Sequence, residues 1–278
     1  MLRIMLALLC AMSLHWLHAQ APIQQDFKLG TSVTFQSSTL NEQRTLNIYT
    51  PIGWNADQSS KLPVIYLLDG SANEDFIHVV GLVQFFNMLG LMPPSLVVGI
   101  ANVDRRRDFT YPSTLDIDRK DFPTSGGSTR FIEFLQKEVK PYITSNFPTD
   151  TTQQILIGQS LGGLLATEVL LKHTPLFSHY IIVSPSMWWD AGKLLDQAPA
   201  LLPKQAQTNV RVFLTVGTEG KEMEGSAQRL NSILRKYAKH WKTSFVPLPQ
   251  ENHATILHQA VYKALGIFYP KPPQTKQH

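Results

Sequence analysis

Runs of consecutive apolar residues, each ended by glycine, proline or a polar residue, constrain the fold of this chain most strongly. Such runs are typical of strands that are buried on both faces, as in a parallel sheet. They read LPVIYLLDG, SLVVGIANV, QQILIGQS, HYIIVSPS and VRVFLTVGTEG, with a weaker, proline-containing KTSFVPLP after them and two alternating strands, TSVTFQS and RTLNIYTP, before them. Helical patterns lie between the runs. Buried strands that alternate with helices predict an α/β fold, a mostly parallel central sheet with helices on both faces.

The carboxyl ends of the predicted strands carry the unusual residues of the sequence. In open α/β sheets, ligands bind at these ends. They hold Asp69-Gly70, the segment after Asn102, Ser160, Ser184-Pro185 and the stretch from Gly217 to Glu219. We therefore expect the functional site at this edge.

The size and charge of the chain exclude several classes of protein. With 278 residues, 43% of them hydrophobic, the chain can form one large core, so we predict a single catalytic domain over residues 22–278. The net charge is +4, and the longest basic run is Arg105-Arg106-Arg107. A nucleic-acid-binding protein normally has a longer basic stripe with interleaved aromatic residues, so we predict no nucleic-acid partner.

Residues 1–21, MLRIMLALLCAMSLHWLHAQA, have the layout of a signal peptide: a basic residue, an apolar run, and small residues at Ala19 and Ala21. The alternative is an uncleaved anchor, but the run is shorter than the ~20 apolar residues of a membrane span. We predict a periplasmic or secreted protein without a membrane span after cleavage. Cys10 is the only cysteine, so the mature protein would have no disulfide, cysteine nucleophile or thiolate metal site.

The pattern Gly158-Gln159-Ser160-Leu161-Gly162 fits G-x-S-x-G, the nucleophile elbow. A serine hydroxyl is a poor nucleophile unless a base takes its proton, so it must project from a sharp turn where a base can reach it. The alternative is a simple glycine-rich turn. The position between a buried strand and an apolar helix favours the elbow, with Ser160 as nucleophile.

The partners of such a serine follow in the order acid, then histidine. His253 lies between the last strand and the last helix, where this order requires the base; His258, one turn into that helix, is the less favoured alternative. Glu219, Glu222 and Glu224 follow the fifth run, and Glu219 is nearest to the strand end. We favour Glu219 as the acid, with Glu222 next and a Ser–His dyad as the remaining alternative.

An acyl-transfer site also needs two donors for the oxyanion. The N–H of Leu161, directly after the nucleophile, is one candidate, and the N–H of Gly70 or Ser71, after the first buried strand, is the other. The alternative interpretation of Asp69-Gly70 is an ordinary turn.

These residues together resemble a known family. The segments PVIYLLDG, VVGIANVDRRRDFTYP, STRFIEFLQKEVKPYI, IGQSLGG, SPSMWWD and ENH are similar to the putative-esterase branch of the α/β-hydrolases, in particular to bacterial siderophore (trilactone) esterase-like proteins. The resemblance implies an α/β-hydrolase fold with the nucleophile at Ser160, the base at His253 and the acid between Gly217 and Glu224. Many members have histidine where this chain has Gln159.

Four further residues are candidates for substrate binding. Arg105 and Arg107 follow the second buried strand, and the resemblance implies that an arginine there meets an anionic siderophore. A solvated loop with local ion pairs is the alternative. Trp188 and Trp189 follow the fourth run and are candidates for the wall of an acyl pocket, although packing alone would account for one of them.

The function predicted from the sequence is a secreted serine carboxylic-ester hydrolase that acts on a small-molecule ester, of siderophore or aromatic acyl type. Its mechanism needs no metal and no organic cofactor. Two alternatives remain open: an acyltransferase to a sugar or lipid hydroxyl, which would use the same triad, and a binding protein that keeps the fold without the chemistry.

Overall fold

The computed structural model describes residues 22–54, 60–205 and 210–270. In this part of the chain, eight strands form one sheet in the order β1-β2-β4-β3-β5-β6-β7-β8. The strands are β1 Thr31–Ser37, β2 Glu42–Tyr49, β3 Leu62–Leu67, β4 Leu96–Ile100, β5 Thr149–Gln159, β6 His179–Val183, β7 Arg211–Thr215 and β8 Lys242–Phe245. The first two pairings, β1 with β2 and β2 with β4, are antiparallel, and all others are parallel. The predicted mostly parallel sheet is therefore confirmed.

Helices lie between the strands, as the sequence predicts. They are α1 Phe76–Met88, α2 Arg105–Phe109, α3 Asp116–Asp121, α4 Ser128–Phe134, α5 Lys140–Asn146, α6 Leu161–Lys172, α7 Lys193–Leu201, α8 Lys221–Tyr237 and α9 Ile256–Phe268. A π-helical turn, Leu135–Val139, joins α4 to α5. Pro141 lies just after this turn, and because proline has no N–H and its ring clashes with the carbonyl four residues earlier, a wider turn accommodates it.

The alternation of side chains along each strand divides the core into two layers. In β3, Val64 and Tyr66 belong to one layer while Ile65 and Leu67 belong to the other. The first layer packs against α4 to α8, and the second packs against α1 and α9. Since successive residues of a strand point to opposite faces, a strand buried on both faces must be apolar throughout.

Helix α6 lies in the middle of the first layer. Every residue from Leu161 to Leu171 is buried, which explains why this helix is apolar all round rather than on one stripe. Its N-terminus is thereby fixed directly after β5, at the carboxyl edge of the sheet.

None of the helices within the described ranges is long and apolar enough to cross a membrane. The predicted signal peptide, residues 1–21, lies outside the described residues.

Candidate active site

Ser160 stands on a strained turn between β5 and α6. Its backbone has φ 58° and ψ −120°, in a region that residues with a Cβ rarely adopt. The turn is held from both sides, because Ser160 N–H donates to Val183 O at 3.1 Å and Ser160 O accepts from Leu164 N–H at 2.9 Å. This is the geometry of a nucleophile elbow.

The glycines around the serine are required by close backbone contacts. A Cβ on Gly158 would lie 2.3 Å from Gly162 O, and a Cβ on Gly163 would lie 2.9 Å from Pro185 Cα. Both neighbours are backbone atoms that cannot move aside. The glycines therefore allow β5 and the loop after β6 to approach the start of α6.

The structure brings His253 and Glu219 into direct contact. His253 Nδ1 lies 2.5 Å from Glu219 Oε2. The glutamate side chain is 2% exposed and the imidazole 46% exposed. The other carboxylate oxygen, Oε1, accepts from Ser184 Oγ at 2.5 Å and from Gly217 N–H at 2.9 Å. Oε1 of Glu219 is thus bonded to residues that follow β6 and β7, and Oε2 faces the imidazole.

The other two glutamates of this loop have different surroundings. Glu224 Oε1 accepts from the N–H groups of Glu219 and Gly220, both at 2.9 Å, and so caps the start of α8. Glu222 is exposed in the first turn of the same helix. Of the three, only Glu219 contacts the histidine.

The loop that carries His253 is tied to the elbow. Gln159 Nε2 donates to His253 O at 2.5 Å, and Thr218 N–H donates to Glu251 O at 2.8 Å. The Ser160 hydroxyl itself lies 3.3 Å from Ser186 Oγ. Among the hydrogen bonds of residues 22–54, 60–205 and 210–270, none joins Ser160 to His253. The contact between the elbow and the His253 loop is therefore made by Gln159, the residue before the serine, while the serine hydroxyl is turned toward Ser186.

The structure differs from the expectation for one of the proposed oxyanion donors. Gly70 N–H donates to Ile100 O at 3.0 Å, so the sheet already uses it. Glycine is required at position 70 for close packing, since a Cβ added there would lie 2.3 Å from Gly99 Cα. Ser71 N–H donates to Glu74 Oε2 at 3.3 Å, a long contact on the exposed side. Leu161 N–H is at the first position of α6, where a helix offers no acceptor.

Arg105 links two parts of the site. It donates to both oxygens of Asp69, at 2.6 and 3.0 Å, and its Nη2 lies 3.3 Å from Gln159 O. Burial raises the pKa of Asp69 from its usual value, and the guanidinium opposes this shift. The arginine thus connects the turn after β3 to the elbow, while about a third of its side chain, 34%, remains exposed.

Arg107 does not have the surroundings that the sequence suggests for a substrate-binding residue. Its guanidinium donates to Glu42 on β2 and to Asp108, at distances from 2.5 to 3.0 Å. Each of its three nitrogens donates to one of these two carboxylates, so the structure shows an internal ion-pair network, which is the alternative interpretation of this basic run.

The two tryptophans have different environments. Trp189 is fully buried, and its Nε1–H donates to Tyr111 O at 2.9 Å, so it belongs to the core rather than to a pocket wall. Trp188 is partly exposed and packs against Phe122. Together with Met187, Leu195, Glu222 and other residues, Trp188 lines a pocket of about 310 Å³. Of the two tryptophans, only Trp188 lines this pocket.

Sequence reasoning did not assign roles to Ser184, Ser186 and the Gln159 side chain, although each touches the acid, the nucleophile or the histidine loop. The available signal was their position at the carboxyl ends of β5 and β6. Within the described ranges, no group of three or more histidine, cysteine, aspartate or glutamate residues could hold a metal ion.

Comparison with known proteins identifies the family of this chain. The model of the family described as "Putative esterase" matches residues 37–255. Ferri-bacillibactin esterase BesA of Bacillus subtilis (strain 168) is 29% identical over 270 residues, covering 88% of this chain and 91% of the relative. Siderophore triacetylfusarinine C esterase of Aspergillus fumigatus is 28% identical over 182 residues, covering 58% of this chain and 57% of the relative.

Solved structures show the same architecture. An IroE-like serine hydrolase from Shewanella oneidensis has a TM-score of 0.78 at 28% identity, covering 86% of this chain and 80% of the other. The BES protein from Bacillus cereus has a TM-score of 0.76 at 29% identity, covering 88% and 97%. The chain therefore belongs to the putative-esterase family and is a carboxylic-ester hydrolase with the α/β-hydrolase fold.

Proposed function

We propose that this esterase acts through an acyl-enzyme on Ser160, with His253 as the base and Glu219 as the residue that orients it. The observation that supports this most directly is the 2.5 Å contact between His253 Nδ1 and Glu219 Oε2, next to the strained turn that presents Ser160. A carboxylate on Nδ1 leaves Nε2 as the nitrogen that takes a proton from the nucleophile.

The reaction proceeds in two halves. Ser160 Oγ attacks the ester carbonyl while His253 Nε2 takes its proton, and the alkoxide oxygen of the tetrahedral intermediate accepts from Leu161 N–H. Ser71 N–H is the second donor in this proposal, once it exchanges its long contact with Glu74 for the oxyanion. The alcohol leaves with the proton of the imidazolium. Water, deprotonated by His253, then attacks the acyl-enzyme carbonyl. The bond between the acyl carbon and Ser160 Oγ breaks, the imidazolium returns its proton to Ser160 Oγ, and the acid is released.

The substrate we propose is a siderophore-type ester. Support comes from the names of the relatives, which are esterases of ferri-bacillibactin and of triacetylfusarinine C. Trp188 is partly exposed and follows Ser186, whose hydroxyl lies 3.3 Å from Ser160 Oγ, by two residues, and we propose that a flat acyl group stacks on its aromatic surface. We also propose export and one catalytic domain over residues 22–278, on the strength of the signal-like first 21 residues.

Hydrolysis of a small ester panel tests the proposal. The panel contains short p-nitrophenyl esters, a feruloyl ester, a thioester and a catecholate trilactone, each with the wild-type protein and Ser160→Ala. We expect the trilactone to have the highest kcat/KM and Ser160→Ala to lose ~10⁴ to 10⁶ in kcat on every substrate. Near wild-type activity of Ser160→Ala would overturn the mechanism, and a preference for another ester would overturn the substrate assignment alone.

A fluorophosphonate probe gives an independent test of the nucleophile. It should label the wild-type protein on the peptide that contains Ser160 and leave Ser160→Ala unlabelled. Labelling elsewhere in the chain would contradict the assignment of Ser160.

A further inference from the structure

One three-residue segment, Ser184-Pro185-Ser186, touches both ends of the proposed triad. Ser184 Oγ donates to Glu219 Oε1 at 2.5 Å, and Ser186 Oγ lies 3.3 Å from Ser160 Oγ. The segment follows β6, which is the neighbour of both β5 and β7 in the sheet. It therefore lies between the strand that ends at the nucleophile and the strand that leads to the acid.

The segment is held rigidly in this place. Ser184 is fully buried with φ 42°, and its N–H donates to Thr215 O at 2.9 Å. Ser186 is 2% exposed, and its N–H donates to Ser160 O at 3.0 Å. Pro185 fixes its own backbone and packs closely against the Gly163 position of α6. Positive φ at a buried non-glycine residue persists only where the surroundings over-determine it, and such strain clusters at active sites.

We propose that Ser184 and Ser186 are positioning residues of the esterase, one for the acid and one for the nucleophile. Ser184 acts through Glu219. The terminal torsion of a glutamate has a broad energy profile, so a donor on Oε1 is what keeps Oε2 turned toward His253. Gly217 N–H contacts the same oxygen at 2.9 Å, and the two donors together define the plane of the carboxylate.

Ser186 acts on the nucleophile itself. Its hydroxyl lies beside Ser160 Oγ, and its N–H fixes the backbone carbonyl of the same residue. The contact between the two hydroxyls favours a position of Ser160 Oγ near the end of β6, on the turn that presents the nucleophile. This inference rests on the proposed function, because it assigns roles relative to Ser160 and Glu219 as members of the triad.

The role of Ser184 is tested by a double-mutant cycle. Ser184→Ala should lower kcat about 10-fold with KM within about two-fold, as expected for loss of a hydrogen bond to a charged group. In the Glu219→Ala background the same change should have no further effect on kcat, because the carboxylate through which Ser184 acts is absent. Ser184→Gly, which removes the hydroxyl and tolerates the positive φ, should behave in the same way. An unchanged kcat, or an equal loss in both backgrounds, would overturn this role.

The role of Ser186 is tested by the rate at which a fluorophosphonate labels Ser160. Ser186→Ala should lower the labelling rate and kcat by a similar factor of about five, with KM little changed. The matched control is Ser178→Ala at the opposite end of β6, where Ser178 Oγ lies 2.9 Å from Gln154 N and 2.8 Å from His179 Nδ1. The control should lose thermal stability but keep the wild-type labelling rate. Wild-type labelling of Ser186→Ala, or an equal loss in the control, would overturn the inference.

The two proposals fail in different ways. Ser160→Ala, measured in the same assays, reports on the proposed function alone. If that variant is inactive while the Ser184 and Ser186 variants behave like the wild type, the triad stands and only the positioning role is lost.

Discussion

The imidazole of His253 and the carboxylate of Glu219 meet at 2.5 Å, although they lie 34 positions apart in the chain. One lies in the loop before α9 and the other follows β7. The contact forms because the sheet brings the end of β7 beside that loop, where Thr218 N–H and Glu251 O also bond at 2.8 Å. The partly exposed histidine is thus oriented by a carboxylate that solvent barely reaches.

This contact predicts which glutamate matters for catalysis. Glu219→Gln should lower kcat by ~10² to 10⁴ with KM little changed, because the carboxylate stabilises the imidazolium chiefly in the transition state. Steady-state kinetics on a short p-nitrophenyl ester measures this. Glu222→Gln, an exposed change in the first turn of α8, is the control and should stay within a few-fold of wild type. A large loss of kcat in the Glu222→Gln variant would identify Glu222 as the acid instead. Full activity of the Glu219→Gln and Glu222→Gln variants would indicate a Ser160–His253 dyad.

The close approach of β3 and β4 predicts a strong effect on stability at Gly70. Gly70→Ala should lower the free energy of unfolding by about 3 kcal/mol, because a Cβ there meets backbone rather than a side chain that can rotate away. Urea denaturation measures the change. Gly81→Ala is the control: a Cβ at Gly81, in α1, meets nothing within 4 Å, and the change should stabilise by about 0.5–1 kcal/mol. Wild-type stability of Gly70→Ala would show that the turn can shift.

The sequence predicts the sheet well because buried parallel strands are apolar on both faces. Each of the five apolar runs contains a strand, and the ends of these strands lie on one edge since parallel pairing aligns them. Ser160, Glu219 and the His253 loop come together for this reason. Their catalytic roles stay predictions until the variants above are measured.

Other parts of the site depend on neighbours that the sequence does not reveal. The N–H of Gly70 is already bonded to Ile100 O, because β4 runs beside β3 at that point. Arg107 is paired with Glu42, which lies on β2, far away in the chain. Trp188 and Trp189 are adjacent and chemically identical, but it is Trp189 that is buried and bonded to Tyr111 O. Such details follow from strand order and packing rather than from local pattern.

The bond from Gln159 to the carbonyl of His253 predicts a smaller effect on catalysis. Gln159→Leu keeps the size of the side chain but removes the donor, so we expect kcat to fall about five-fold. The control is Gln153→Leu, in the same strand β5, whose amide contacts Asp150 and Tyr269 away from the site. Kinetics and thermal melts of both variants should show lost activity only at position 159. Equal activity of the two would mean that the His253 loop holds its place without this bond.

The last prediction concerns stability in acid. Burial, together with the charge of Arg211, lowers the pKa of His179 to about 4 from its usual 6.5. The unfolded chain therefore binds this proton more readily than the folded protein, so the stability that neutral His179 contributes is present above pH 6.5 and is lost as the pH falls toward 4. The glutamine of the His179→Gln variant does not titrate. The other titratable groups are the same in both proteins, so their contributions cancel when the two free energies of unfolding are compared. Between pH 7 and pH 4, the free energy of unfolding of the wild type should fall by about 2–3 kcal/mol more than that of the variant. Chemical denaturation at both pH values measures this difference, and parallel losses in the two proteins would show that His179 is protonated in the folded state as readily as in the unfolded chain.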